Sequence, residues 1–327
     1  MTGVEDVSLT NRGNPMVPLI SVIMPAYNAR PYLDQAIRSV LEQDYPHIEL
    51  IVVDDGSTDG TPELAEQFGE RVRVMRQKNA GPAAARNRGI AASRGELIAF
   101  LDADDVWLPG KASMQVRYLQ DHPEVGMVYG DFKHWSAQPD GTFPTPPLLI
   151  SQKAPNAIFC EHSGWIYTAL LFDNVVHIIT AMLRRSVTDK IGGLDESLPT
   201  GEDYDFWLRI SRQFRADKLD CTIAYYREHA SGITKTPRKE NNEYRVLVKT
   251  LKAYGASGPD GIAASSTSVR NRLFQLCFSH GYFHIRSGDP AVAQQAFTAA
   301  LRHAPLKPKV WAYWFAALVK HRLLSRS

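Results

Sequence analysis

Three cysteines in 327 residues, Cys160, Cys221 and Cys277, are too few and too scattered for a disulfide framework or a zinc site. That usage suits a reducing compartment. Long apolar runs are also missing. The longest, "VWAYWFAALV" from Val310 to Val319, is ten residues, about half of what a bilayer span needs. Charge of one sign is lacking too: the net charge is +2, so no global basic field draws nucleic acid. The opening "MTGVEDVSLTNRGNP" has acids and no apolar segment, which excludes a secretory signal within it. The expectation is a cytoplasmic protein, free or peripheral on the inner face of the cell membrane.

What is present is an alternation. Residues 1–18 read as a polar leader with Gly13, Pro15 and Pro18. "LISVIMP" is then a short β-branched run, a buried strand. "RPYLDQAIRSVLEQ" places Leu33, Ile37, Val40 and Leu41 at helical spacing. "IELIVVDDG" is a second strand. Thr61 and Pro62 open the helix "PELAEQF" as cap and first-turn proline. "VRVMRQ", "GPAAARNRGIAAS" and "ELIAFLDAD" continue as strand, helix, strand. This order predicts an α/β fold with a mostly parallel sheet and helices on both faces. Beyond Pro109, "KASMQVRYLQDH" reads as helix, "VGMVYGDF" as strand, and the turn-rich segment from about Ser136 to Asn174 as an insert. "VVHIITAMLRR" reads as strand, "EDYDFWLRISRQF" as helix and "CTIAYYREH" as strand. From about residue 239 only helical patterns remain, with a break at "GASGPDGIAASS".

Three of these strands end in polar groups: Asn28 in "MPAYN", Asp54 and Asp55 in "VVDDGS", and Asp102, Asp104 and Asp105 in "LDADD". In an open parallel sheet, ligands bind beyond the carboxyl ends of the strands. Acids clustered there are costly unless a cation sits among them. A hard divalent ion, Mg²⁺ or Mn²⁺, takes such oxygens together with waters and substrate phosphates. The plainer alternative is turn chemistry, in which Asp is common.

The segments "PAYN", "VVDDGSTDGT", "NAGPAAARNRG", "FLDADD", "GGLDESLPTGEDYDFWLRIS" and "YYREHASGIT" occur in this order. Together they closely resemble the family-2 glycosyltransferases, inverting enzymes of the GT-A fold that use nucleotide sugars. The resemblance covers about residues 19–235; Leu194 stands where the family often has Phe, and His177 lies in a variable acceptor-lining strand. It implies a nucleotide-sugar site of Pro25, Ala26, Tyr27, Asn28, Asp54, Asp55, Asn79, Gly81, Arg86, Asp102, Ala103 and Arg227. Within it Ala26 and Tyr27 would line the base pocket and Asp55, beside Asp54, would accept from the base. Arg86 would contact base or phosphates, with Asn79 and Gly81 shaping the approach. Asp102 would meet the ribose. Asp104, the second acid of the D-x-D motif, would hold the metal, with His229 and Arg227 supporting the metal or diphosphate. Asp203 would be the general base and Glu202 its catalytic neighbour.

Each residue also has a structural reading. Arg86 pairs with a surface acid, Asp203 caps the following helix, and His229 is a satisfied structural histidine. Asp205 reads as a solvent-facing charge, Trp207 as core, and Glu42 and Glu63 as helix-surface acids. Trp135, Phe143, Trp165 and Tyr167 read equally as sugar-stacking or packing aromatics.

The expected chemistry is one displacement at an anomeric carbon, with a carboxylate accepting the acceptor's proton. UDP is the expected nucleotide, with dTDP and GDP also fitting; the acceptor would be a carbohydrate or lipid-linked hydroxyl. Surface polysaccharide or glycolipid synthesis is the expected setting. A nucleotidyltransferase is the alternative enzyme, but "PAYNARPYL" lacks the Gly-rich basic loop that holds a triphosphate. A non-catalytic sugar-binding protein on the same fold is the other alternative, and the intact acids argue against it.

The expected division is a leader at 1–18, a catalytic domain at 19–238 and a helical extension at 239–327. The extension carries "GDPAVAQQAFTAALRHAP", which resembles half a tetratricopeptide repeat. One copy cannot bury its own face, so it should pack on the catalytic domain, a second subunit or a membrane. After Asp289 there are no acids, while Arg302, Lys307, Lys309, Lys320, Arg322 and Arg326 surround Trp311, Tyr313, Trp314 and Phe315. That mixture suits either an anionic membrane surface or a packed helix with a basic rim.

Overall fold

A computed structural model of the chain describes residues 17–138, 140, 142–144, 158–229 and 238–324. Most of the expected leader, and the segment at 230–237, therefore lie outside the described residues. The β-branched runs form β1 (Ile20–Ala26), β2 (Ile48–Asp54), β3 (Val72–Arg76) and β4 (Leu97–Phe100), all parallel. Ile20 faces Ile48 on one side and Leu97 on the other, so these strands run in near register. Their polar ends consequently meet at one edge.

Four further strands extend the sheet: β5 (Val106–Trp107), β6 (Val125–Ser136), β7 (Met182–Arg184) and β8 (Arg215–Glu228). The order is β3-β2-β1-β4-β7-β6-β8-β5. β7 runs antiparallel to both its neighbours, β4 and β6, and β5 runs antiparallel to β8. The sheet is thus mixed, in line with the α/β expectation. β5 was not expected from the sequence. Its pairing of Val106 with Tyr225 lays the "DADD" turn alongside "YREH".

The helices α1 (Arg30–Leu41), α2 (Thr61–Glu66), α3 (Pro82–Ala92) and α4 (Lys111–Asp121) link the early strands. α1 buries Leu33, Ala36, Ile37 and Val40, one face of its 3.6-residue repeat. The segment "VVHIITAMLRR" differs from expectation. It makes a short 3₁₀ turn at Ile178–Thr180, three residues of β7, and then α6 (Arg185–Ile191). Apolar runs of this length do not distinguish a strand from a buried turn and helix. The preceding insert contains α5 (Tyr167–Leu170).

α7 (Glu202–Ile210) follows, and α8 (Asn242–Tyr254) packs against it. Asp205, expected at the surface, is instead buried on α7 and accepts from Arg209 at 2.7 Å and Lys249 at 2.9 Å. A buried carboxylate requires such partners, and here one comes from α8. Trp207 is fully buried, as expected. α9 (Ser266–Ser287), α10 (Pro290–His303) and α11 (Pro308–Leu324) form a second small core around Cys277, Phe297, Ala300 and Ala317. Gly281 permits the close approach of α9 to α10: a Cβ there would sit 2.8 Å from the Phe297 ring. Leu276 of α9 belongs to the main core, so the extension is seated on the catalytic domain.

Candidate active site

The crevice is built first from loops. After β1 the chain turns through Asn28, whose φ of 49° is left-handed, a conformation Asn tolerates better than most residues. Its amide donates to the Ser57 hydroxyl at 2.9 Å and its side-chain oxygen accepts from the Thr58 amide at 2.9 Å. The "DDGSTDGT" loop is thereby tied to the end of β1. Gly56, with φ of +81°, lies against the next loop, where a Cβ would come within 2.9 Å of the Asn79 nitrogen. Asp54 and Asp55 are both buried. Asp54 accepts from the Ser57 amide at 3.3 Å.

Asp55 accepts from the Gln77 side chain and from the backbone amides of Ala80 and Gly81, each at 2.8 Å. A carboxylate offers about four lone-pair directions, so three are met from within the chain. Asp55 therefore fixes the loop that carries Asn79 and opens α3. At the end of β1, Pro25 is half-buried and Ala26 buried, while the following Tyr27 is more than half exposed.

The acids after β4 divide three ways. Asp102 accepts from Arg86 at 2.6 Å. The same guanidinium donates to Glu202 at 2.7 Å. Arg86 is buried; burial opposes its charge, but Asp102 and Glu202 outweigh this and hold its pKa above the usual arginine value. Its partners are the two site acids rather than a surface acid. Arg86 thus joins the "DADD" turn to the start of α7.

Asp104 meets the His229 ring nitrogen at 2.8 Å, so the two residues expected at a metal do come together. Asp105 is fully buried and accepts from the Arg227 amide at 2.7 Å. Burial, then the carboxylates of Asp104 and Asp102, push the Asp105 carboxyl well above its ordinary pKa. Ala103, between them, is buried.

Arg227 is buried as well. Its Nε donates to the Asp104 carbonyl at 2.6 Å and its terminal nitrogen to Gln35 at 2.7 Å. The guanidinium lies 4.0 Å from the Trp135 ring centroid, 4.5 Å from Phe143 and 4.9 Å from Tyr32. So the structure uses Arg227 to brace the acidic turn, and Trp135 and Phe143 pack on it. Tyr167 is likewise core, donating to the Gly255 carbonyl at 2.7 Å.

At the start of α7, Asp203 is half-buried and accepts from the Tyr204 amide at 2.7 Å and the Asn174 side chain at 3.2 Å. Burial raises its pKa, against the opposing pull of Arg86 and those two donors. Burial also raises Glu202, with Arg86 opposing and Asp203 adding. His177 packs on Phe132 with ring centroids 4.3 Å apart, and burial lowers its pKa to about 4, so the ring is neutral near pH 7. The loop ahead of α7 is held by Asn87, whose side chain donates to and accepts from the Leu194 backbone at 2.9 and 2.8 Å.

Sequence reasoning missed Asn174, Gln35 and Tyr32. Tyr32 and Gln35 lie three residues apart on α1, a spacing that puts them on one face. Asn174 sits in an aperiodic segment with no signal to find it.

Comparison with known proteins shows the family and the fold. Residues 21–175 match the model of glycosyl transferase family 2. TuaG of Bacillus subtilis (strain 168), a glycosyltransferase named for teichuronic acid biosynthesis, is 31% identical over 242 residues, covering 72% of this chain and 87% of TuaG. Among solved structures, S. aureus TarS 1–349 in complex with UDP-GlcNAc superposes with a TM-score of 0.61 at 19% identity, covering 93% of this chain and 88% of that one. The mannosyltransferase PcManGT of Pyrobaculum calidifontis, in complex with GDP-Man and Mn²⁺, gives 0.56 at 23% identity, covering 93% and 87%. The chain belongs to the family-2 glycosyltransferases, and it is a glycosyltransferase with the GT-A fold.

Proposed function

We propose that the protein moves a sugar from a nucleoside diphosphate, UDP first among them, to a hydroxyl of a carbohydrate or lipid-linked acceptor, inverting the anomeric centre. The setting is cytoplasmic assembly of a surface polysaccharide or glycolipid, as the name of TuaG suggests for that relative. The observation that carries the reading is the Arg86 bridge. One buried guanidinium holds an acid of the donor-side turn and an acid of the acceptor-side helix, so both halves of a displacement share one crevice. Asp203 receives the acceptor proton as the hydroxyl oxygen bonds to the anomeric carbon and the bond to the diphosphate breaks. Its raised proton affinity suits a general base.

Among the described residues no three His, Cys, Asp or Glu side chains gather around one point. Two, Asp104 and His229, fit the protein's share of a Mg²⁺ or Mn²⁺ shell, which ordinarily leaves room for waters and substrate phosphates. A cation there supplies neutralisation of the charge on the leaving diphosphate.

The test is release of nucleoside diphosphate across a donor panel, with NMR of the product's anomeric configuration at early times. Asp104→Asn should lose at least ~100-fold in rate, and chelation should abolish turnover. Full activity in chelator would remove the metal; a product of retained configuration would remove the single displacement.

A further inference from the structure

α11 has apolar residues on both of its faces. One face is closed: Val310 and Ala317 are buried, and Tyr313 and Trp314 pack into the core shared with α9 and α10. The Trp314 ring nitrogen donates to Thr298 of α10 at 2.9 Å. The other face is open. Trp311, Phe315, Val319 and Leu323, at successive steps of four, are 50%, 61%, 41% and 65% exposed. Leu306, just before the helix, is 91% exposed. Steps of four on a helix align as one stripe. An apolar stripe of this length marks an interaction surface.

The charges around it choose the partner. At 100° per residue, the exposed Lys309 and Lys320 border the stripe on one side and the exposed Arg322 falls within its arc, between Trp311 and Phe315. The Lys320 amine also donates to the Ile285 carbonyl at 2.8 Å, so its stem lies along the rim. From Pro290 to Ser327 the sequence has six Lys or Arg and no acid. A second copy docking through this face would set basic rim against basic rim with no acid to offset it. Anionic phospholipid headgroups complement these basic groups, and acyl chains accept the stripe. We infer that α11 lies flat on an anionic bilayer, with Trp311, Phe315, Val319 and Leu323 entering the headgroup–acyl boundary and Lys309, Lys320 and Arg322 meeting the lipid charges.

The inference stands apart from glycosyl transfer, because vesicle binding is read without turnover. It gives the helical extension a role that packing alone does not: α8 ties it to α7, where the expected base sits, through Lys249 and Asp205.

The experiment is sedimentation of the full chain with vesicles. The protein should pellet with equimolar phosphatidylglycerol–phosphatidylcholine vesicles, far less with phosphatidylcholine alone, and less as salt rises. Phe315→Glu combined with Leu323→Glu should lower partitioning at least ~10-fold, with melting temperature and nucleoside diphosphate affinity unchanged. Should that variant misfold, Lys309→Gln combined with Arg322→Gln leaves the stripe intact and should still weaken binding about 5-fold or more. No binding to the phosphatidylglycerol vesicles, or binding that neither variant weakens, would overturn the proposal. So would a stable dimer, seen by sedimentation equilibrium, that the first variant dissociates, because a second copy would then cover the face.

Discussion

Asp203 is an acid whose surroundings favour its proton. Burial raises its pKa while Arg86, the Tyr204 amide and Asn174 restrain the rise. As the proposed base it must be ionised to act. The rate should therefore fall, as pH drops, at a value above the ordinary carboxylate range of about 4; a kcat profile measures this. Asp203→Asn should leave donor affinity nearly intact and reduce transfer by ~10²–10⁴-fold. Linkage gives an independent sign. A raised folded pKa contributes stability below the unfolded value and loses it as pH rises through the folded one. Asparagine cannot ionise, so the variant should gain melting temperature relative to the parent as pH moves from about 4 to 7. A variant less stable at neutral pH, with full rate per folded molecule, would make Asp203 a structural cap.

At the scale of elements, the loop between β3 and α3 rests on one side chain. The Asp55 carboxylate accepts from Gln77, Ala80 and Gly81. Asp55→Ala would strand the two backbone amides at the helix start. Leaving buried donors unmet costs about 1–3 kcal/mol, and nucleoside diphosphate binding should weaken by a similar amount because the loop helps wall the crevice. Calorimetry and thermal melts on the same variant check both numbers. Unchanged affinity in a destabilised variant would separate the loop from the nucleotide site. The strands beneath this loop were legible from β-branched runs between turn residues. The brief β5 was not, because a strand of two residues has too little period to read, and around β7 the run "VVHIITAMLRR" read as one strand although only Met182–Arg184 forms one. Their partners, Tyr225 and Met127 among them, lie far away in the chain.

At the scale of the molecule, one buried lysine reports on the core between α4 and the sheet. Lys111 is fully buried, its amine donating to Gln115 at 2.6 Å and lying 3.9 Å from the Trp107 ring centroid. Burial holds its pKa well below the usual lysine value. The unfolded chain keeps that proton up to about pH 10. A lowered folded pKa contributes its full stability only above the unfolded value and loses it as pH falls through the folded one. Lys111→Met removes this liability, at the loss of one hydrogen bond to Gln115, worth about 1 kcal/mol. The variant should melt above the parent at pH 7, and the gap should shrink as pH rises toward 10, about where free lysine titrates. A pH-independent gap would mean that Lys111 is charged in the fold.

The sequence by itself determined the class of fold and the whereabouts of the candidate site. Alternating strand and helix patterns dictate a sheet covered by helices, and the polar ends of three strands point to the crevice where a ligand is expected. The clustered acids were plain in it as well, while the expectation that His229 stands with Asp104 came from the resemblance to the family-2 glycosyltransferases; the structure puts the two 2.8 Å apart. Only the tertiary structure decided the partners. Arg86 meets Asp102 across 16 residues and Glu202 across 116, and Arg227 lies among the Tyr32, Trp135 and Phe143 rings while it donates to the Asp104 carbonyl. Asp205 is buried because α8 supplies Lys249. On α11, likewise, composition lists four aromatics alike, and packing decides which stay outside: Tyr313 and Trp314 turn toward α9 and α10, Trp311 and Phe315 toward the surroundings. Periodicity reports which residues share a face of one element, whereas what that face meets depends on chain that is distant in sequence.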